Sequence, residues 1–127
     1  MAMEKLIVEV AELIEREYGR AGAKFGFTNH SDHESYAIIL EELQEAKADI
    51  DSFERELSLF WSTVKADDDD YYKYARLLQM QSVALLGACE MIQVAAMAKK
   101  AAITVGDRGT STSLGKEEQT GENLYRN

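Results

Sequence analysis

The sequence predicts an all-α fold: an antiparallel bundle of two long helices plus a shorter N-terminal helix, completed by oligomerisation. Three observations carry this expectation. Proline is absent, the chain between Met3 and Ile103 is dense in Ala, Leu, Glu, Gln, Met and Lys, and apolar residues recur there at helical spacing. Those residue types give up little freedom on entering a helix, and proline, the residue that would interrupt one, never occurs. A chain of 127 residues fits one domain with one core. Residues 1–105 are expected to form it, and the Gly-, Ser- and Thr-rich residues 106–127 a polar tail.

The first helix is expected over residues 3–18, where Leu6, Ile7, Val10, Leu13 and Ile14 recur at helical spacing. Gly19, Gly22 and Gly26 then predict a turn-rich segment. Ser31-Asp32-His33-Glu34 matches a capping box, in which the Ser31 hydroxyl accepts from a helical amide while Glu34 reaches back. From there an apolar stripe through Ile39, Leu43, Ala46, Ile50, Phe53, Leu57, Phe60, Trp61 and Val64 predicts a helix to about Ala66, with Ser52 or Ser58 as points where it could break. Asp67–Asp70 reads as a solvated turn, with acidic residues favouring the start of the next helix. That third helix is expected from Tyr71 to Ile103. Its centre, Val83–Ala98, is apolar nearly all round, so it needs cover on several sides, and a dimer or tetramer would supply it.

A formal net charge of −9 excludes a broad basic face for nucleic acid, because an acidic surface gains nothing from counterion release. Val83–Ala98 is interrupted by Glu90 and Gln93 and is expected to be too short for a membrane span. The single cysteine, Cys89, lies in that apolar run and reads as a small core residue. With no disulfide possible within the chain and no leader-like start, a cytoplasmic setting is expected.

The chemistry-bearing feature is acidic. Glu42 and Glu45 share a face of the second helix, Asp49 follows one turn on, and Glu42 and Asp49 border the apolar stripe. On the third helix Glu90 stands in a row of Val83, Leu86, Val94, Met97 and Ala101, with Gln93 one turn away. An ionised carboxylate in such a row costs several kcal/mol unless something neutralises it. Two neutralisers fit: a hard divalent cation shared with Glu42, Glu45 and Asp49, or an ion pair with Lys24, Arg76 or Lys100.

Glu41-Glu42-x-x-Glu45 followed by Glu90-x-x-Gln93 resembles the E-E-x-x-E and E-x-x-D motif pair of the MazG-like all-α nucleotide pyrophosphohydrolases. The wording around His33–Glu42 and Glu90–Ala98 is similar to phage and prophage members, and the resemblance covers roughly residues 30–103. It implies Mg²⁺, or Mn²⁺, held by Glu42, Glu45 and Glu90, with Gln93 in the place of the motif's aspartate. It also implies hydrolysis of a nucleoside triphosphate to monophosphate and pyrophosphate, with Glu41 and Glu42 as the catalytic carboxylates. The neutral Gln93 and the long gap between the motifs depart from the family pattern. They leave room for a non-catalytic helical module that binds a nucleotide or a host protein through its acidic face.

Other polar residues have plainer readings beside functional ones. Lys24 and Lys100 are candidates to meet a nucleotide's phosphates, Arg20 less so. His30 and His33 flank a helix start, where surface residues are common. Trp61, Tyr71, Tyr72 and Tyr74 surround the acidic turn and are expected either to stack on a base or to close the helix hairpin.

Overall fold

A computed structural model describes residues 2–109 and places them in three helices: α1, Ala2–Phe25; α2, Asp32–Lys65; and α3, Asp70–Arg108. The all-α expectation holds, with no strand among the described residues. Two boundaries differ from it. α1 runs on through Gly19 and Gly22 and ends at Gly26, whose φ of 97° and N–H bond to the Gly22 carbonyl (2.8 Å) form a left-handed cap. Gly22 serves packing rather than turning: a Cβ there would lie 2.1 Å from a carbon of the Phe27 ring. α3 passes Ile103 and ends at Arg108, so the expected tail begins later; residues 110–127 of it lie outside the described residues.

α2 begins where its capping box predicts. Ser31 Oγ accepts from the Glu34 amide at 3.1 Å, while the Glu34 carboxylate accepts from the His30 amide at 3.2 Å, one residue further back than expected. Neither Ser52 nor Ser58 breaks the helix. Asp67–Asp70 is structural, as expected. Asp67, at φ 52°, closes α2: its amide bonds the Val64 carbonyl and the Asp68 amide bonds that of Thr63, the two bonds of a Schellman cap. Asp69 Oδ1 then accepts from the Tyr72 amide at 3.2 Å and opens α3.

The described residues form two compact units. One comprises the residues up to Leu40 with those from Ile92 onward; the other is Glu41–Met91. The first holds a core of Ile14, Ala21, Ala96 and Met97, flanked by Val10, Tyr18, Ile38, Ile39, Ile92 and Ala95. Beside that core the Asn29 amide donates to Thr104 Oγ1, Asn29 Nδ2 donates to Ser35 Oγ, and Thr104 Oγ1 donates to the Lys100 carbonyl.

In the second unit Ala46, Met80 and Val83 are buried, whereas Leu43, Ile50, Leu57, Trp61 and Val64 from the expected stripe are exposed. Cys89 is exposed too, which corrects its reading as a core residue: where a helix is apolar all round, the pattern gives no face to distinguish inside from outside. α3 is long and apolar enough, by length and composition alone, to cross a membrane; its most apolar stretch has mean hydropathy 1.3 and is 22% buried. The stretch Val83–Ala98 is too short for that, but the helix it belongs to is not.

Candidate metal centre

Glu42 and Glu45 lie one turn apart on α2 and so project from one face. Within the second unit this segment of α2 runs antiparallel to the first part of α3. Glu56 meets Arg76 at 3.1 Å, and a Cβ on Gly87 would stand 3.5 Å from that of Asp49. Further along, Glu42 and Glu45 come level with Glu90. Gly87, one turn before Glu90, leaves the helices room to approach where the carboxylates meet. One oxygen from each of Glu42, Glu45 and Glu90 lies within 4.8 Å of the other two.

Two unit charges about 5 Å apart repel by roughly 3 kcal/mol at an effective dielectric near 20. Burial and mutual repulsion both act against ionisation here. Burial first, then the charges of Glu45, Glu90 and Glu41, push the Glu42 carboxyl above its ordinary value. Burial also leads for Glu90, followed by its hydrogen bond with Glu45 and the charges of Glu45 and Asp49, and its carboxyl is likewise raised. Arg76, one of the bases that might have neutralised Glu90, is bound to Glu56 instead.

The donor set fits a hard cation. It offers carboxylate oxygens alone, on two helices whose backbones fix their positions, and Mg²⁺ is characteristically held by one or two carboxylates with its remaining positions open to water and phosphate. Cys89, the soft donor adjacent in sequence, lies about 100° round the helix from Glu90. Among the described residues the four aspartates Asp67–Asp70 form no comparable group of converging oxygens.

The remaining candidates divide between the units. Glu41 is exposed and belongs with the trio's unit, acting on Glu42 through its charge. Gln93, Lys24 and Lys100 belong to the other unit. Gln93 Nε2 donates to Glu17 Oε1 at 2.6 Å, and Glu17 also receives the Arg20 guanidinium. The Arg20 hydrogen bonds, outweighing burial and helped by Gln93, hold the Glu17 carboxyl below its ordinary value. The pairing also commits Arg20, which the sequence left open for phosphate. Lys24 Nζ stands 5.1 Å from the centre of the Phe25 ring, and Lys100 is buried. Sequence reasoning missed Glu17 as the partner of Gln93; a glutamate among the many of α1 carries no signal that would single it out. His30 and His33 are exposed, as expected of residues at a helix start.

Comparison with known proteins adds no relative: neither a family model, nor a curated protein, nor a solved structure matches the chain.

Proposed function

We propose that the protein is a MazG-like nucleoside triphosphate pyrophosphohydrolase, dependent on Mg²⁺ or Mn²⁺, that acts in the cytoplasm as a homodimer or homotetramer. The observation that carries this reading is the convergence of one carboxylate oxygen each from Glu42, Glu45 and Glu90 to within 4.8 Å of one another. Glu42, Glu45 and Glu90 would hold the metal, and Glu41 and Glu42 would orient the attacking water. The metal, when bound, supplies neutralisation of the phosphates and a more acidic water. Leu57, Leu78, Leu85 and Leu86 are exposed on the single chain, which supports assembly of further copies into a larger helical bundle.

The test is direct. Purified protein incubated with each NTP and dNTP plus Mg²⁺, then Mn²⁺, should release pyrophosphate and monophosphate, and Glu42→Gln and Glu90→Gln should abolish release while the fold persists. A correctly folded protein that releases no pyrophosphate from any nucleotide ends the enzymatic reading.

One observation favours a second reading, a non-catalytic module that binds a nucleotide or a host protein through its acidic face. The side chain at the position of the motif's aspartate is Gln93, and its amide is engaged by Glu17. Saturable nucleotide binding by calorimetry without turnover would select it.

A further inference from the structure

The seam between α2 and α3 in the second unit is marked on α2 by Ala46, Asp49, Phe53 and Glu56 and on α3 by Arg76, Met80, Val83 and Gly87, all buried or half-buried. Leu43, Ile50, Leu57 and Val64 recur at intervals of seven and form a different row on α2, between 37% and 52% exposed. At 100° per residue that row stands about a quarter-turn from the seam. Leu77, Ala84 and Met91 recur at the same interval on α3, are exposed as well, and also stand about a quarter-turn from the seam.

The two rows open on one side. Successive residues of a right-handed helix wind clockwise when viewed from its N-terminus. Because α3 runs antiparallel to α2 here, a quarter-turn forward from the seam on either helix leads to the same side of the hairpin. The rise from Leu43 to Val64 is about 32 Å and two packed helices are about 20 Å across. The face therefore covers roughly 600 Å² in projection, near the ~800 Å² that each partner gives to a standard interface. It is also without net charge, in a chain whose formal charge is −9. Lys47 and Glu54 flank the α2 row and cancel, and Glu90, the single charged residue from Leu77 to Met91, turns to the other side of the seam.

We propose that a second copy of the chain docks on this face, hairpin against hairpin, to make a four-helix arrangement. The occupant must bring two antiparallel apolar rows at seven-residue spacing and no net charge. The same face of another copy meets both requirements, and a two-fold axis lets it pair with itself. A single helix would cover one row and leave the other open. Glu45 lies round α2 from the seam in the opposite sense to Leu43 and Ile50, while Glu90 and Met91, 100° apart, straddle the seam on α3. The carboxylate trio therefore opens on the side away from the docked copy. This inference rests on the assembly in the reading above and not on hydrolysis.

Sedimentation equilibrium of the full-length protein should show self-association built on a dimer. Ile50→Glu and Leu77→Glu, one in each row, should each raise the dissociation constant by about 100-fold, because each sets a charge in a covered apolar face. Ile50→Gln, a milder change, should weaken association in the same direction with helical content retained. Leu59→Glu alters a comparably exposed leucine on the opposite side of α2 and should leave the dimer intact. Glu90→Gln, at the trio, should do the same. A wild-type monomer, a dimer indifferent to both row substitutions, or equal weakening by Leu59→Glu would overturn the proposal. An intact dimer that releases no pyrophosphate ends the hydrolytic reading alone and upholds this one.

Discussion

The two units put the same helical material to different uses. In the unit formed by α1, the start of α2 and the end of α3, apolar side chains converge on one core, and the acidic Glu17 is matched by Arg20 and Gln93. In the unit between Glu41 and Met91 one oxygen from each of three carboxylates lies within 4.8 Å of the others. The first unit pairs its Glu17, whereas the second brings three carboxylates together. Crowding like charges costs free energy, and the second unit carries that cost where the exposed Glu45 meets the half-buried Glu42 and Glu90.

That contrast is sharpened or broken by experiment, beginning with its largest effect. Replacing Glu90 with Gln should weaken Mg²⁺ or Mn²⁺ binding by about 100-fold or more, read as loss of the metal-induced rise in melting temperature. In metal-free protein, at a pH above the raised values of Glu42 and Glu90, the same variant should be the more stable, because it removes repulsion. A metal response that survives the substitution would erase the distinction between the units.

Gly22→Ala tests the other side. The added methyl would collide with the Phe27 ring, which already packs edge-on against Tyr18, while the Tyr18 hydroxyl donates to the Phe27 carbonyl at 2.9 Å. A loss of about 1–3 kcal/mol is expected in denaturant unfolding, against the ordinary gain of Gly→Ala in a helix. Ser31→Ala, which removes the α2 cap, should cost about 1 kcal/mol.

The pH dependence should carry opposite signs in the two units. Glu17, with its pKa lowered by folding, contributes stability that is present above the unfolded value and lost as pH falls through the folded one. Glu42 and Glu90, with pKa values raised, bind protons more tightly when folded. Their contribution is therefore favourable at low pH and lost as pH rises from the ordinary glutamate range through their raised values. Melting of Glu17→Gln and of the Glu42→Gln/Glu90→Gln pair across pH 3–8 should separate the two trends. Asp67→Gly should give the smallest change, a gain of a few tenths of a kcal/mol, since relief of the left-handed backbone is largely offset by the glycine's added freedom when unfolded.

Much of this was legible in the residues because it depends on local chemistry. The Ser31 cap, the role of Asp67–Asp70 and the shared face of Glu42 and Glu45 follow from spacing along one helix, and Glu90 stood out because its row is otherwise apolar. What escaped depends on contacts distant in sequence. Gly22 looked like a helix breaker because its reason for being glycine is a ring five residues on, beyond the helix end. The reach of α1 to Phe25 follows from that packing, not from propensity. Cys89, Leu85 and Leu86 were unreadable for a different reason: an unbroken apolar helix states that it must be covered without stating where. The Asn29–Ser35–Thr104–Lys100 group left no signal, since four unremarkable polar residues become a cluster only when α3 returns beside the start of α2.

The corner between α2 and α3 has a consequence for handling the protein. Each residue from Asp67 to Asp70 is occupied: one supplies the left-handed turn, the next the second closing bond, the third the cap and the fourth the first helical position. A protease needs an extended stretch of backbone to thread through its cleft, and this corner has none to lend. Despite its position at a polar, exposed helix junction, where nicking is ordinarily fastest, Asp67–Asp70 should survive limited digestion intact, and insertions there should unseat both helices at once.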